Sequence, residues 1–341
     1  MKLLSFGIPS YNSEAYVANC IESLLVGGED VEIIVVNDGS KDRTSEIAHE
    51  YANKYPTIVK VIDKENGGHG SGVNAGLKAA TGLYYKVVDS DDWANAEALT
   101  TLLNTIKKHL EEGALPDLYI NNFVYEHVED NTFFVRSYKK YYKENQTITW
   151  NEVKPMRWDA TLLMHALVYK REVLIESGLE LPHHTFYVDN LFAYQPLAFV
   201  KTIHYIDIDL YRYFIGRADQ SVNVKNLVRR YEQQLRVMKL IVSSFKYEDI
   251  KKMNKGLRQY LLHCINAINL NGLFFTCADD SPERRAALKD YWQFVKEHDK
   301  KMYNFLRYRS YSTLVNFLPW KLKGAILTYG YKVLQKKVKL G

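Results

Sequence analysis

The chain has 341 residues, 47% hydrophobic and 25% charged, which is enough apolar material for one large or two ordinary domains and too much for a disordered chain. Its net charge of +5 is unevenly placed: Lys300 to Gly341 holds ten Lys or Arg and no Asp or Glu, leaving −5 for the remainder. No binding motif accompanies that charge, which argues against nucleic acid as a partner, and no apolar run approaches the ~18 residues of a membrane span.

Cys20, Cys264 and Cys277 are odd in number and lack metal-like spacing, so buried reduced thiols are expected. The N-terminus enters a strand-like run at once, without an apolar leader; a cytoplasmic protein is the expectation.

Along the first half, strand and helix signals alternate. "KLLSFGIP" (2–9) reads as a buried strand, followed by a helix with Val17, Cys20, Ile21 and Leu24 at helical spacing and Ser13 as its cap. "VEIIVVND" is a second strand, residues 40–55 a helix, "TIVKVI" a third strand and "GSGVNAGLKAA" a short helix. "YYKVVD" is a fourth strand, a helix runs from Leu99 to Gly113, and "PDLYINNFVY" is a fifth strand. Alternation in "NTFFVRSY" predicts an antiparallel excursion, and "MHALVYKREVLIESGLEL" a strand entering a short helix. Beyond Asn223 the pattern is helical, which places a domain boundary near Val222.

Strands that alternate with helices predict a largely parallel sheet, whose ligands gather beyond the carboxyl ends of the strands. "PSYN", "NDGSKD", "KENGGHGSG" and "DSDD" follow the first four strands, so all four polar clusters should share one rim. Asp89, Asp91 and Asp92 crowd three carboxylates into four positions, which calls for a positive group among them or for solvation. Asp89 and Asp91 suit a divalent cation with oxygen ligands; they suit equally a strand-end turn before a helix, with Asp92 as the cap.

"IPSYNSEAYVANCIESLL", "EIIVVNDGSKDRT", "ENGGHGSGVNAGL" and "VVDSDDW", in this order and spacing, resemble the family 2 glycosyltransferases over about the first 220 residues. The resemblance implies an α/β GT-A fold, a Rossmann-like and mostly parallel sheet flanked by helices, over residues 1–222, with a helical C-terminal region over 223–341. It also implies an inverting, non-processive, metal-dependent hexosyl- or N-acetylhexosaminyl-transferase using a UDP-sugar. Asp91 would be the main ligand of Mn or Mg, and Asp89 would ligate it while lying against the donor, with Ser90 between them. Pro9 and Tyr11 would line the uridine, Asp38 would accept a hydrogen bond from the base, and Glu14 is a weaker contact. Gly67, Gly68, Gly70 and Gly72 would admit a phosphate or sugar to the backbone, with His69 and Asn74 as further nucleotide contacts. Val73 stands where the family often carries an arginine.

In "HHTFYVDNLFAY", Asp189 occupies the place of the family's catalytic base, and Val188 replaces the usual glutamate. One base suffices for an inverting displacement. The other reading of Asp189 is a helix cap. Arg217, and less so Arg212, would reach the diphosphate. The acceptor class implied is a saccharide or lipid-linked oligosaccharide, in capsule, exopolysaccharide or wall-polymer assembly.

The tail combines Leu322, Ile326, Tyr329 and Val333 at helical spacing with six lysines. An anionic membrane surface is its candidate partner, against a helix packed on its own domain. Two rivals to transfer remain. A nucleotidyltransferase needs a basic Gly-rich loop after the first strand, which "PSYNSEAY" lacks; a non-catalytic glycan-binding scaffold is opposed by the intact Asp89, Asp91 and Asp189.

Overall fold

The computed structural model describes residues 1–128, 130–157, 160–216 and 224–338, and among these the side chains of all but 224, 225, 227 and 331–338. Two compact units form: one from residues 1–154 and 162–215, the other from 155–161 and 216–341. The boundary expected near Val222 lies outside the described residues.

The first unit contains β1 (Leu4–Ser10), α1 (Val17–Leu25), β2 (Val31–Asn37), α2 (Thr44–Lys54), β3 (Val59–Asp63), α3 (His69–Ala79), β4 (Tyr84–Val87), β5 (Trp93–Ala94) and α4 (Ala96–Glu111). It continues through β6 (Leu118–His127), β7 (Thr132–Arg136), β8 (Thr147–Thr149), β9 (Leu167–Lys170), α5 (Arg171–Glu176), α6 (Asp189–Tyr194) and β10 (Thr202–Ile215). The strands form one sheet in the order β3-β2-β1-β4-β9-β6-β10-β5, with β7 on β6 and β8 on β10.

The run β3-β2-β1-β4 is parallel, and every residue of β1, β2 and β4 is buried. Helices cover both faces there, so these strands read as unbroken apolar runs rather than alternating ones. Beyond β4 the sheet is mixed: β9 enters antiparallel between β4 and β6, and β6 pairs in parallel with β10. The result is the GT-A architecture.

At the amino ends of the parallel strands, the buried carboxylate of Glu32 ties four segments together. It accepts from Ser5 Oγ at 2.5 Å, Lys60 Nζ at 2.8 Å, Gly82 N–H at 3.2 Å and the Thr81 N–H. Burial alone would raise its pKa, yet Lys60, Ser5 and Thr81 hold it at about 2.

Two expected caps are placed differently. The Ser13 hydroxyl does not cap α1; it meets Ser90 Oγ at 2.7 Å. Asn95 rather than Asp92 caps α4, accepting from Ala98 N–H at 2.9 Å.

The second unit contains α7 (Val224–Arg229), α8 (Tyr231–Ser244), α9 (Tyr247–Lys252), α10 (Lys255–Cys277), α11 (Pro282–His298), α12 (Lys300–Tyr308), α13 (Thr313–Asn316) and α14 (Trp320–Val338). Its long α10 is cross-tied through Asn269, which accepts from Tyr291 Oη at 3.0 Å and donates to Ser312 Oγ at 3.1 Å. Among the described residues, no helix is long and apolar enough to cross a membrane. All three cysteines are buried and free.

Candidate active site

Strand order reverses direction between β1 and β4, and the loops after them meet at that switch point. The four polar clusters close into a ring. The first meets the second where Asn12 N–H donates to Ser40 Oγ (3.0 Å), and the first meets the fourth through Ser13 and Ser90. The second meets the third at Asp38, which is buried and accepts from Gly67 N–H at 2.9 Å, Gly68 N–H at 2.7 Å and Lys64 Nζ at 2.6 Å. His69 Nε2 closes the ring against Asp89 Oδ1 at 2.7 Å.

His69 is one answer to the crowded carboxylates. Burial pulls its pKa down, but Asp89, Asp189 and Asp91 together raise it above the usual imidazole value. Asp89 is the counterpart: burial opposes its charge, yet His69, His165 and Lys86 hold it below the usual carboxylate range. Lys86 lies beneath, buried, donating to the His165 carbonyl at 2.6 Å, with burial lowering its pKa to about 7.

Asp92 has a different fate from its neighbours. Its carboxyl is buried, accepts from Tyr211 Oη at 2.5 Å and from Phe214 N–H at 2.8 Å, and is pushed well up by burial, Asp91 and Asp89. The Tyr211 oxygen in turn accepts the Asp89 N–H at 3.1 Å. A residue of β10 thus clamps both ends of "DSDD".

Asp189 opens α6, half-buried, two residues after Tyr187 with its unusual φ of +66°. Burial raises its pKa, Asp89 adds to the rise and His69 opposes it. Asp189, Asp89 and Asp91 thus all lie within electrostatic reach of His69. Asp189 is the first residue of α6, next to Val188 at the cap position, and its carboxylate accepts from Asn190 Nδ2 at 3.3 Å. Val188 is itself fully buried, where a glutamate would carry an unpaired charge into the core.

Several expected contacts are spent within the protein. Asn74 does not point its amide at a ligand: Nδ2 donates to the Leu181 carbonyl (2.9 Å) and Oδ1 accepts the Leu181 N–H (3.0 Å). The glycines also admit chain rather than ligand. Gly68, at φ +82°, has the His184 backbone 3.0 Å from where a Cβ would stand, and at Gly70 Leu181 and Pro182 lie 2.9 Å away. The segment leading to Asp189 is therefore packed onto the third cluster, and His184 N–H donates to the Gly67 carbonyl at 2.7 Å.

Of the remaining expected residues, Pro9 is buried against α3, Tyr11 is half exposed on the rim, and Glu14 accepts the Arg43 N–H at 2.9 Å. Arg212 pairs with Glu126 Oε1 at 2.5 Å instead of facing the rim clusters. Arg217 lies outside the described residues.

A cation site was tested on these donors. Among the described residues, Asp89, Asp92 and His165 offer ligand atoms within 4.8 Å of one another. Asp92 is engaged by Tyr211 and Phe214, whereas His165, its pKa lowered by burial to about 4, keeps a buried Nδ1 without a partner. Asp89 and Asp91, half-buried on the rim, supply hard oxygen donors that would suit a divalent cation. Sequence reasoning missed His165, Tyr211 and Lys86. Lys86 opens the very stretch "KVVDSDD", and a lysine inside an apolar strand was the available signal.

The fold and the rim thus define a GT-A domain with a carboxylate-lined site. Residues 5–171 match the model of Glycosyl transferase family 2. It is 29% identical over 239 residues to the putative glycosyltransferase EpsH of Bacillus subtilis, covering 68% of this chain and 64% of that protein. It is 36% identical over 132 residues to the minor teichoic acid biosynthesis protein GgaB of Bacillus subtilis, covering 37% of this chain and 15% of that one. The chain therefore spans less than two thirds of the length of either relative. Among solved structures, S. aureus TarS 1–349 superposes with a TM-score of 0.68 at 21% identity, covering 96% of this chain and 89% of that one. The same protein in complex with UDP-GlcNAc gives a TM-score of 0.66 at 22% identity.

Proposed function

We propose that the protein is an inverting, non-processive glycosyltransferase that moves a hexose or N-acetylhexosamine from a UDP-sugar to a saccharide or lipid-linked oligosaccharide. Its pathway would be capsule, exopolysaccharide or wall-polymer assembly on the cytoplasmic side of an anionic membrane. The transferase domain would be residues 1–222, followed by a helical region from 223 to 341. The reading rests on the His69–Asp89 contact at the switch point and on the fields that Asp189 and Asp91 exert on His69. The family match, the UDP-GlcNAc complex of TarS and the wall-polymer role in GgaB's name support the donor and pathway classes.

In this reading the ionised Asp189 takes the proton of the acceptor hydroxyl as its oxygen attacks the anomeric carbon. A raised pKa makes it a better base than an ordinary aspartate. Pro9 and Tyr11 flank the uracil, and Asp38, already holding two backbone amides, keeps a lone pair for the base. Ser90 and His69 border the donor, and Arg217 adds charge to the diphosphate. Asp89 and Asp91 would hold Mn or Mg, which when bound supplies charge neutralisation for the departing diphosphate.

Thermal shift against a panel of nucleotide sugars, with and without Mn²⁺, tests the reading. A UDP-sugar should stabilise the protein only with the metal, and Asp91→Asn should abolish that effect. Asp189→Asn should keep the stabilisation and lose transfer. Full transfer by Asp189→Asn removes it as the base, and stabilisation without any UDP release leaves a binding scaffold.

A further inference from the structure

The last helix of the second unit is packed in the opposite sense from an ordinary surface helix. In α14, Lys323 is buried, with Nζ 3.3 Å from the Asn316 carbonyl, and Leu327 is buried beside it. Gly324 lies so close to the Cys277 carbonyl that a Cβ would stand 2.5 Å from its oxygen. Those positions define the inward face. Leu322, Ala325, Ile326 and Tyr329, spaced i, i+3, i+4 and i+7, are all exposed and form the outward one.

The apolar stripe faces out. It is continued by the approach to the helix, where Leu314 is 83% and Phe317 56% exposed. Seven of the fourteen large hydrophobic side chains exposed among the described residues fall between Tyr308 and Tyr329. Such a concentration marks an interaction surface rather than scattered exposure.

Charge selects the partner. The chain from Lys300 onward carries ten basic residues and no acidic one, and six of its lysines lie at or after Lys321. In the turn between α10 and α11, Asp280 is paired with Arg285 at 2.6 Å and Asp279 with Arg284 at 3.7 Å. A second copy of the chain would set two such basic segments against each other, which like-charge repulsion disfavours. A protein partner needs polar groups to fix its orientation, whereas the outward positions are Leu, Ala, Ile and Tyr. A lipid phase needs no such groups.

We propose that the α13–α14 face docks on an anionic lipid surface, with the Leu322–Tyr329 stripe in the interface and Lys321 against headgroup phosphates. The helix lies on the bilayer and does not cross it, consistent with its hydropathy. This inference is independent of the transfer reading and names the contact surface that a peripheral enzyme would use.

Cosedimentation of the full chain with vesicles tests it. The protein should pellet with phosphatidylcholine mixed with phosphatidylglycerol, not with phosphatidylcholine alone, and high salt should release it. Leu322→Asp with Ile326→Asp should weaken partitioning about 100-fold or more, with Tm unchanged because both side chains are exposed. Lys321→Glu should weaken it roughly fivefold or more, on anionic vesicles only. If the double variant fails to fold, Ile326→Ser serves the same comparison. Vesicle binding that the variants leave intact overturns the proposal, as does no binding by the wild type. Concentration-dependent dimerisation by light scattering, lost in the variants without any lipid binding, would assign the face to a second copy and likewise overturn it.

Discussion

Tyr211→Phe removes one oxygen atom and tests how the "DSDD" turn is held. The ring would stay where it is, 5.2 Å from Lys86 Nζ and edge-on to His165 at 4.8 Å, so packing is preserved. What disappears is a donor to the buried Asp92 carboxyl and an acceptor for the Asp89 N–H. Each leaves a polar group without its partner in a desolvated place, at about 1–2 kcal/mol apiece. The sum, about 3 kcal/mol, corresponds to a Tm lower by roughly 6–12 °C for a unit of this size. The same change frees the backbone that presents Asp89 and Asp91, so Mn²⁺ affinity in the presence of UDP should fall about tenfold or more. Calorimetry and Mn²⁺ titration followed by thermal shift read the two effects separately. A variant within about 2 °C of wild type, with an unchanged Mn²⁺ response, would refute the clamp.

Glu32→Gln should flatten part of the acid limb of stability. A carboxyl held at about 2 against an ordinary 4.5 contributes about 3 kcal/mol, fully present above pH 4.5 and lost as pH falls toward 2. Acid denaturation monitored by circular dichroism should show the wild type losing that stability and the variant lacking it; parallel curves would count against the assignment. Asn74→Ala removes both bonds to Leu181, at about 2 kcal/mol, and should slow transfer about tenfold or more while UDP-sugar stabilisation with Mn²⁺ persists. An equal loss of both would return Asn74 to the nucleotide. The acid limb of the transfer rate should lie above the usual aspartate pKa of about 4, because burial raises Asp189 and the base works only when ionised. A rate still undiminished below that value would exclude Asp189 as the titrating group.

Much of the fold was legible because the parallel half is built from local signals. Apolar runs mark β1, β2 and β4, helical spacing marks the intervening helices, and one topological rule brings four polar clusters to one rim. Asp89, Asp91 and Asp189 are nominated by the family resemblance; the pattern alone leaves each of them equally readable as a turn or cap residue. What stayed hidden is long-range. Tyr211 lies 119 residues from the Asp92 it binds, and periodicity identifies its strand without identifying the neighbour across the sheet. Asp92 and Asn95 are both good caps, three positions apart, and only burial decides between them. The run of glycines announces close approach without saying whose atoms approach, and it proved to be the protein's own chain. Amphipathicity likewise identified α14, but not that its lysine would turn inward and its leucine out.

The fastening of residues 181–184 to Gly67, Gly70 and Asn74 has an engineering consequence. Loop exchange between relatives, intended to alter which acceptor is glycosylated, cannot transplant the Asp189 loop alone. The glycine-rich stretch beneath it is its mould, so residues 67–74 and 181–190 should travel together as one cassette. A chimera carrying only one of the pair would keep the Asp189 carboxylate chemically intact and geometrically astray.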